Sequence, residues 1–214
     1  MEKTTAELTG EYIREHPDIK NCLKKGLINY SSLSRHIAKE LDIEKKTSKE
    51  AILIAARRFR QGLKKELDNE RKIKHILSRS ELEIRNKIIV FILEKRLDID
   101  SLNDLEKIIR SDSGLCFVLE GSGNYTIITQ EKYEPLIDKR FRSRTIKKSR
   151  SLTLITMTSP KDIETTRGVV SFLTSLFGEN GVNIIEFLSC WTDTLFVIDS
   201  SDLQKTIAFL SFSS

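Results

Sequence analysis

The 214-residue sequence predicts an α+β protein, with an all-helical first third followed by two successive βαββα units. Two observations predict this. Between Thr4 and Leu67 the apolar residues recur with a helical period and β-branched alternation is scarce, whereas beyond Lys74 short apolar runs alternate with amphipathic stretches. The order strand, helix, strand, strand, helix also occurs twice, once before residue 150 and once after it.

A first helix is predicted over Thr5–Glu15, ending before Pro17 because the residue preceding a proline avoids the helical region. A second, Asp18–Lys25, stops at Gly26, the residue type that best closes a helix C-terminus. Tyr30-Ser31-Ser32 opens a third, with Leu33, Ile37, Ala38 and Leu41 as its apolar positions. The last begins at Thr47 or Ser48, a hydroxyl suited to capping, and carries Ile52, Ala55, Ala56, Phe59 and Leu63 on one face as far as about Leu67.

After the charged run Asp68–Lys74 the period changes. Ile88–Leu93 is a continuous apolar run, and Leu102, Leu105, Ile108 and Ile109 have helical spacing. Leu115–Leu119 and Tyr125–Thr129 are strand-like around Gly121-Ser122-Gly123-Asn124, a hairpin turn whose residues supply the positive backbone angles such turns need. The second unit reads Leu152–Met157 strand, Ile163–Phe177 helix, Ile184–Leu188 and Thr194–Asp199 strands, and Ser201–Leu210 helix. A shift of seventy residues lays Phe117 on Phe187, Ile127 on Val197, Ile128 on Ile198, Tyr133 on Leu203 and Ile137 on Ile207, while the first strands need a shift of sixty-four. Arg142–Arg150 is able to form a fourth strand for the first unit; Leu210–Ser214 is too short to do so for the second.

Charge is unevenly placed. Residues 1–79 hold 19 Lys+Arg against 12 Asp+Glu, leaving 17 against 19 for the remainder, as expected when one module contacts a polyanion and the other does not, and equally when the helices carry an ordinary solvated surface. No apolar run approaches the roughly 18 residues of a membrane span, and the N-terminus lacks a basic-then-apolar leader, so a soluble, cytoplasmic protein with no membrane partner is expected. Cys22, Cys116 and Cys190 have neither CxxC spacing nor a nearby His, which predicts buried free thiols and no metal site. His16, His36 and His75 lack ligand spacing, and Gly121-Ser122-Gly123 has no accompanying GxxxxGK[ST] to make it a phosphate loop. Ser78–Ser80 lacks a GxSxG turn or a paired base. No catalytic residue, cofactor or metal is therefore expected, and the protein is read as a binding protein and not an enzyme.

Binding has a physical basis in the second unit. A helix starting near Gly168 presents unpaired backbone amides and a positive dipole end to a carboxylate, and Gly168 allows close backbone approach. Asn183 offers both donor and acceptor, while Asp162, Glu164 and Asp193 are candidates for a ligand's ammonium. Helix capping explains Asp162 equally well, and Gly168 and Gly181 also read as turn and cap residues and Asn183 as the end of a strand.

Three segments carry a family resemblance: Thr165-Thr-Arg-Gly-Val-Val170, Glu179-Asn-Gly-Val-Asn-Ile184 and Asp193-Thr-Leu-Phe-Val-Ile-Asp199. Through them residues 151–210 resemble the ACT domain, a βαββαβ ligand-sensing module of aspartate kinases and other regulated proteins of amino-acid metabolism. Arg167 stands where the family usually has Pro before Gly168. Residues 87–150 look like a degenerate second copy. The resemblance implies two ferredoxin-like βαββαβ units, over 71–150 and 151–214, after a helical domain over 1–70. A tandem pair in aspartate kinases completes one copy with a strand lying before the other, so residues 73–79, where Ile73, His75 and Leu77 alternate, are expected to supply the second copy's fourth strand. The implied ligand set is Ser159, Asp162, Thr166, Arg167, Gly168, Val169, Asn183 and Ile184, and the implied effector is an amino acid.

Leu27–Leu41 resembles the first helix of a helix-turn-helix, and Ser48–Lys65 its recognition helix. That outline implies Lys49, Arg57, Arg58, Arg60, Lys64 and Lys65 at phosphates or base edges of double-stranded DNA, with Ser31 and Arg35 on the backbone. The expected protein is an amino-acid-responsive transcriptional regulator, working as a homodimer or higher homo-oligomer. The alternative is a regulatory subunit whose helical module docks on an enzyme of amino-acid metabolism.

Overall fold

The computed structural model describes residues 3–212, except the side chains of 64–68, and the chain divides into two compact units between Lys72 and Ile73. The first unit contains α1 (Thr5–Glu15), α2 (Pro17–Lys25), α3 (Tyr30–Glu40) and α4 (Lys49–Gly62). Their ends follow local chemistry. Thr4 and Glu7 form a reciprocal capping box on α1, and Asn29 and Ser48 accept the Ser32 and Ala51 amides at the starts of α3 and α4. Pro17 opens α2, and Gly26 closes it at φ 75°. Ile13, Leu23, Leu33, Ile37, Ile52 and Ala56 make the core between these helices. Two histidines flank Tyr12 at the edge of this core: the Tyr12 hydroxyl hydrogen-bonds His36 Nε2 at 3.0 Å, and the His16 ring stacks on Tyr12 at 4.0 Å.

The helix expected to run to Leu67 breaks at Leu63, and α5 (Lys64–Leu77) follows and spans the division between the units. Residues 73–77 are therefore helical, which corrects the strand expected over 73–79. Ile73, Ile76 and Leu77, spaced i, i+3, i+4, are all buried, and this helical stripe outweighs the alternation of Ile73, His75 and Leu77.

In the second unit, β1 (Glu81–Glu94), β2 (Cys116–Glu120), β3 (Asn124–Gln130), β4 (Thr145–Thr158), β5 (Glu186–Cys190) and β6 (Asp193–Asp199) form one antiparallel sheet in the order β2-β3-β1-β4-β6-β5. The helices are α6 (Ile99–Ser111), α7 (Glu134–Phe141), α8 (Val169–Glu179) and α9 (Leu203–Leu210). β1 and β4, each 14 residues long, lie side by side at the centre. The C-terminal half of β1 pairs with β3, and its N-terminal residues Glu81–Arg85 pair with Leu154–Thr158 of β4. The strand that borders the second half thus precedes the first half, as the kinase resemblance implies, but it is 81–85 and not 73–79.

Midway along these strands Lys87 and Ser151 both sit at φ 57°, and the β1–β4 register shifts between Arg85 and Ile88. The extra residue of a bulge changes which face the following side chains occupy. Leu82 packs on the core beneath α8 and α9, and beyond the bulge the odd-numbered Ile89, Phe91 and Leu93 pack on the core beneath α6 and α7. On the opposite face Ile88, Val90, Ile128, Leu152, Leu154, Leu195 and Val197 form a buried apolar cluster that contains no helix residue.

The pairing also corrects the internal repeat. Val90 pairs with Ile128 as Leu154 does with Val197, and Val118 pairs with Ile127 as Phe187 does with Phe196. The second and third strands are therefore related by sixty-nine residues, not seventy, while the first strands keep sixty-four. A one-residue slip exchanges the faces of a strand. Under the seventy-residue shift Ile127, in the helix-covered core, would fall on Val197, which lies on the other face.

Candidate ligand site and basic helical face

A cleft of ≈ 450 Å³ opens at the start of α8. Its floor is the run Ile163, Glu164, Thr166, Gly168, Val169 and Val170, and its far wall is Ser189, Trp191 and Thr194 from β5, the β5–β6 turn and β6. The Thr166 hydroxyl folds the floor back by donating to the Asp162 carbonyl at 2.8 Å. Gly168, at φ 86°, starts α8 without any side-chain cap, and the first helical bond runs from Phe172 N to Gly168 O. The amides of Val169, Val170 and Ser171 precede that bond, as the first N–H groups of every helix do, and carry the positive end of its dipole. Trp191, also in the left-handed region at φ 52°, is 62% exposed. Its indole N–H donates to Glu164 Oε2 at 3.3 Å, and the Lys161 ammonium lies 5.5 Å from the ring centroid. Chemically the cleft offers donors for a carboxylate, one carboxylate for an ammonium, and an apolar wall.

The corresponding place in the first half is built differently. There Asp98 caps α6, its carboxylate accepting the Asp100 and Ser101 amides at 3.4 and 3.2 Å. Ser122 occupies the hairpin position that the sixty-nine-residue relation gives to Trp191.

On the first unit Ser31, Arg35, Lys49, Arg57, Arg58 and Arg60 are all exposed, while Lys64 and Lys65 lie outside the described side chains. Ile52, Ala55 and Ala56 turn one face of α4 inward, leaving Ile54, Arg57 and Arg58 outward. The Arg57 guanidinium stacks 5.4 Å above the Tyr30 ring. Eight residues, Leu41–Ser48, separate α3 from α4, against the roughly 3–4 of a helix-turn-helix turn.

No family model matches the chain, and no curated protein matches it. Solved structures do. The aspartate kinase of Clostridium acetobutylicum, described as an allosteric enzyme, matches at 11% identity and a TM-score of 0.51, over 61% of this chain and 33% of that one. The regulatory subunit of aspartate kinase from Thermus thermophilus matches at 10% and 0.45, over 61% and 93%. A protein of unknown function from Vibrio cholerae matches at 12% and 0.48, over 68% and 99%. The fold is ACT-like. At these identities the likeness is one of fold alone, carried by the first score, and the match spans a third of the Clostridium kinase.

Within this ACT-like fold the expected ligand residues part company. Thr166, Gly168 and Val169 line the cleft. Ser159 does not: it is 5% exposed, its amide donates to Thr192 O and its hydroxyl accepts from Ser80 at 2.8 Å, tying the end of β4 to the start of β1. Asp162 is exposed and pairs with Arg79 at 3.6 Å, Asn183 is exposed, and Ile184 packs on the core beneath α8. Arg167 does not line the cleft either. Trp191, the single tryptophan of the sequence, also lines the cleft; it sits in a turn between two apolar strands, where no motif marks it.

Other expectations meet mixed outcomes. Cys116 is buried, but Cys22 and Cys190 are exposed, on the outer side of α2 and at the end of the edge strand β5, which corrects the expectation of three buried thiols. Among the described residues no helix is long and apolar enough to cross a membrane, and no group of three or more His, Cys, Asp and Glu could hold a metal ion.

Proposed function

We propose that this is an amino-acid-responsive regulatory protein, in which the ACT-like unit senses the effector and the helical unit delivers the output, with no chemistry of its own. The observation that carries the reading is the cleft at α8, which Glu164 lines together with the start of a helix that has no side-chain cap, so that donors for a carboxylate and a carboxylate for an ammonium belong to one space. Effector binding acts on the output through its different affinity for two arrangements of a homodimer.

DNA is the favoured target of the helical unit. Arg57, Arg58, Lys49 and Arg60 are exposed on or beside the outward face of α4, and the basic excess of the sequence lies in this unit. Fluorescence anisotropy of full-length protein with duplex DNA, repeated across salt, tests this. Binding that falls steeply with salt and weakens in Arg57→Ala/Arg58→Ala supports it; no binding at low salt contradicts it. Docking on an enzyme of amino-acid metabolism is the second reading. It is favoured by the long α3–α4 connection and by Leu27 and Ile54, 75% and 50% exposed on the same unit.

A further inference from the structure

We infer that the α8 cleft selects an α-amino acid with an uncharged, apolar side chain, that Trp191 is the residue that reads that side chain, and that each chain carries one such site. The inference rests on the amino-acid reading above and adds the ligand's chemical class. Ile163, Val169, Val170 and the Trp191 indole present hydrocarbon to the cleft, and Glu164 is its one charged lining side chain. A single carboxylate satisfies a single ammonium. An α-ammonium uses it, so among the lining residues a lysine-like side chain finds no second carboxylate and an acidic side chain finds no cation.

The indole N–H is held by Glu164, and Lys161 already supplies a cation to the ring, so what the ring offers a ligand is apolar contact. A ligand seated there covers a large aromatic surface that is otherwise 62% exposed. The first half lacks both parts, with Ser122 in place of the tryptophan and the Asp98 carboxylate already on the α6 amides.

Because the chain has one tryptophan, its emission reports on this cleft. Full-length protein is titrated with leucine, valine, methionine, aspartate and lysine, with tryptophan emission, melting temperature and calorimetric stoichiometry read on the same samples. The expected result is a saturable emission change with one apolar amino acid per chain, bound at least about ten-fold tighter than aspartate or lysine. Trp191→Gly, which suits the left-handed backbone angle, is expected to fold normally and lose that preference by calorimetry. Equal or tighter binding of a charged amino acid, two ligands per chain, or binding that leaves the emission unmoved overturns the inference and leaves the amino-acid reading standing. If none of the ligands changes either emission or melting temperature, and the remaining amino acids do no better, both fall together.

Discussion

Lys87 and Ser151 stand sixty-four residues apart, share a backbone φ of 57°, and mark the midpoints of the two strands that serve both halves of the sheet. Each is an ordinary residue in a conformation that costs roughly 1–2 kcal/mol for any side chain bearing a Cβ. Ser151→Gly is expected to stabilise the protein by roughly 0.5–1 kcal/mol after glycine's own entropy is charged against it, and Ser151→Val to destabilise it. Urea denaturation of the two variants against the parent measures both.

Glu134 on α7 predicts an acid transition. Arg150, donating through Nε at 2.9 Å, and Lys148, at 2.8 Å, hold its carboxyl at about 2, well below the ordinary 4.5. A depressed carboxyl contributes its stability above the unfolded value and loses it as the pH falls from 4.5 toward 2. Melting temperature should therefore drop through that window, and Glu134→Gln should flatten the drop while lowering stability near neutral pH.

Thiol reactivity separates the three cysteines. Cys22 and Cys190 are exposed, whereas Cys116 lies in the core beneath α6 and α7, where burial pushes its thiol up to about 11. Native protein is expected to release two equivalents of chromophore from a disulfide reagent and the third only in denaturant.

Residues 73–77, the end of α5, are expected to be an integral part of the second unit's core. Ile73 and Leu77 share a buried cluster with Leu173 and Phe177 of α8, and a cavity of ≈ 310 Å³ adjoins Leu77, Leu82, Met157 and Phe212. Leu77→Ala should cost about 2–3 kcal/mol, toward the low end of large-to-small core changes because part of its surroundings is already open. A loss below about 0.5 kcal/mol by denaturation would contradict that packing.

Much of this was legible locally. Thr5–Glu15 and the Gly26 stop follow from a cap, a proline and a glycine, signals that act within one helical turn. The 73–79 segment was not, because Ile73 and Leu77 satisfy both periods and only the burial of Ile76 decides between them. The seventy-residue register matches Phe117 with Phe187 by side-chain type, yet Phe117 packs on the helix-free face and Phe187 on the helix-covered one. Gly168, Thr166 and Val169 were readable from the turn into α8, whereas Trp191 reaches the same cleft only through the pairing of β5 with β6. Ser159 looked equally available in the sequence, and its hydroxyl is taken by Ser80, seventy-nine positions away.

The most direct measurement of the sensing role is the melting temperature of full-length protein with each of the twenty amino acids at up to roughly 10 mM. A native-state ligand raises it by mass action, so at least one amino acid is expected to give a saturable, concentration-dependent rise. An unchanged melting temperature with all twenty would contradict amino-acid sensing at the α8 cleft.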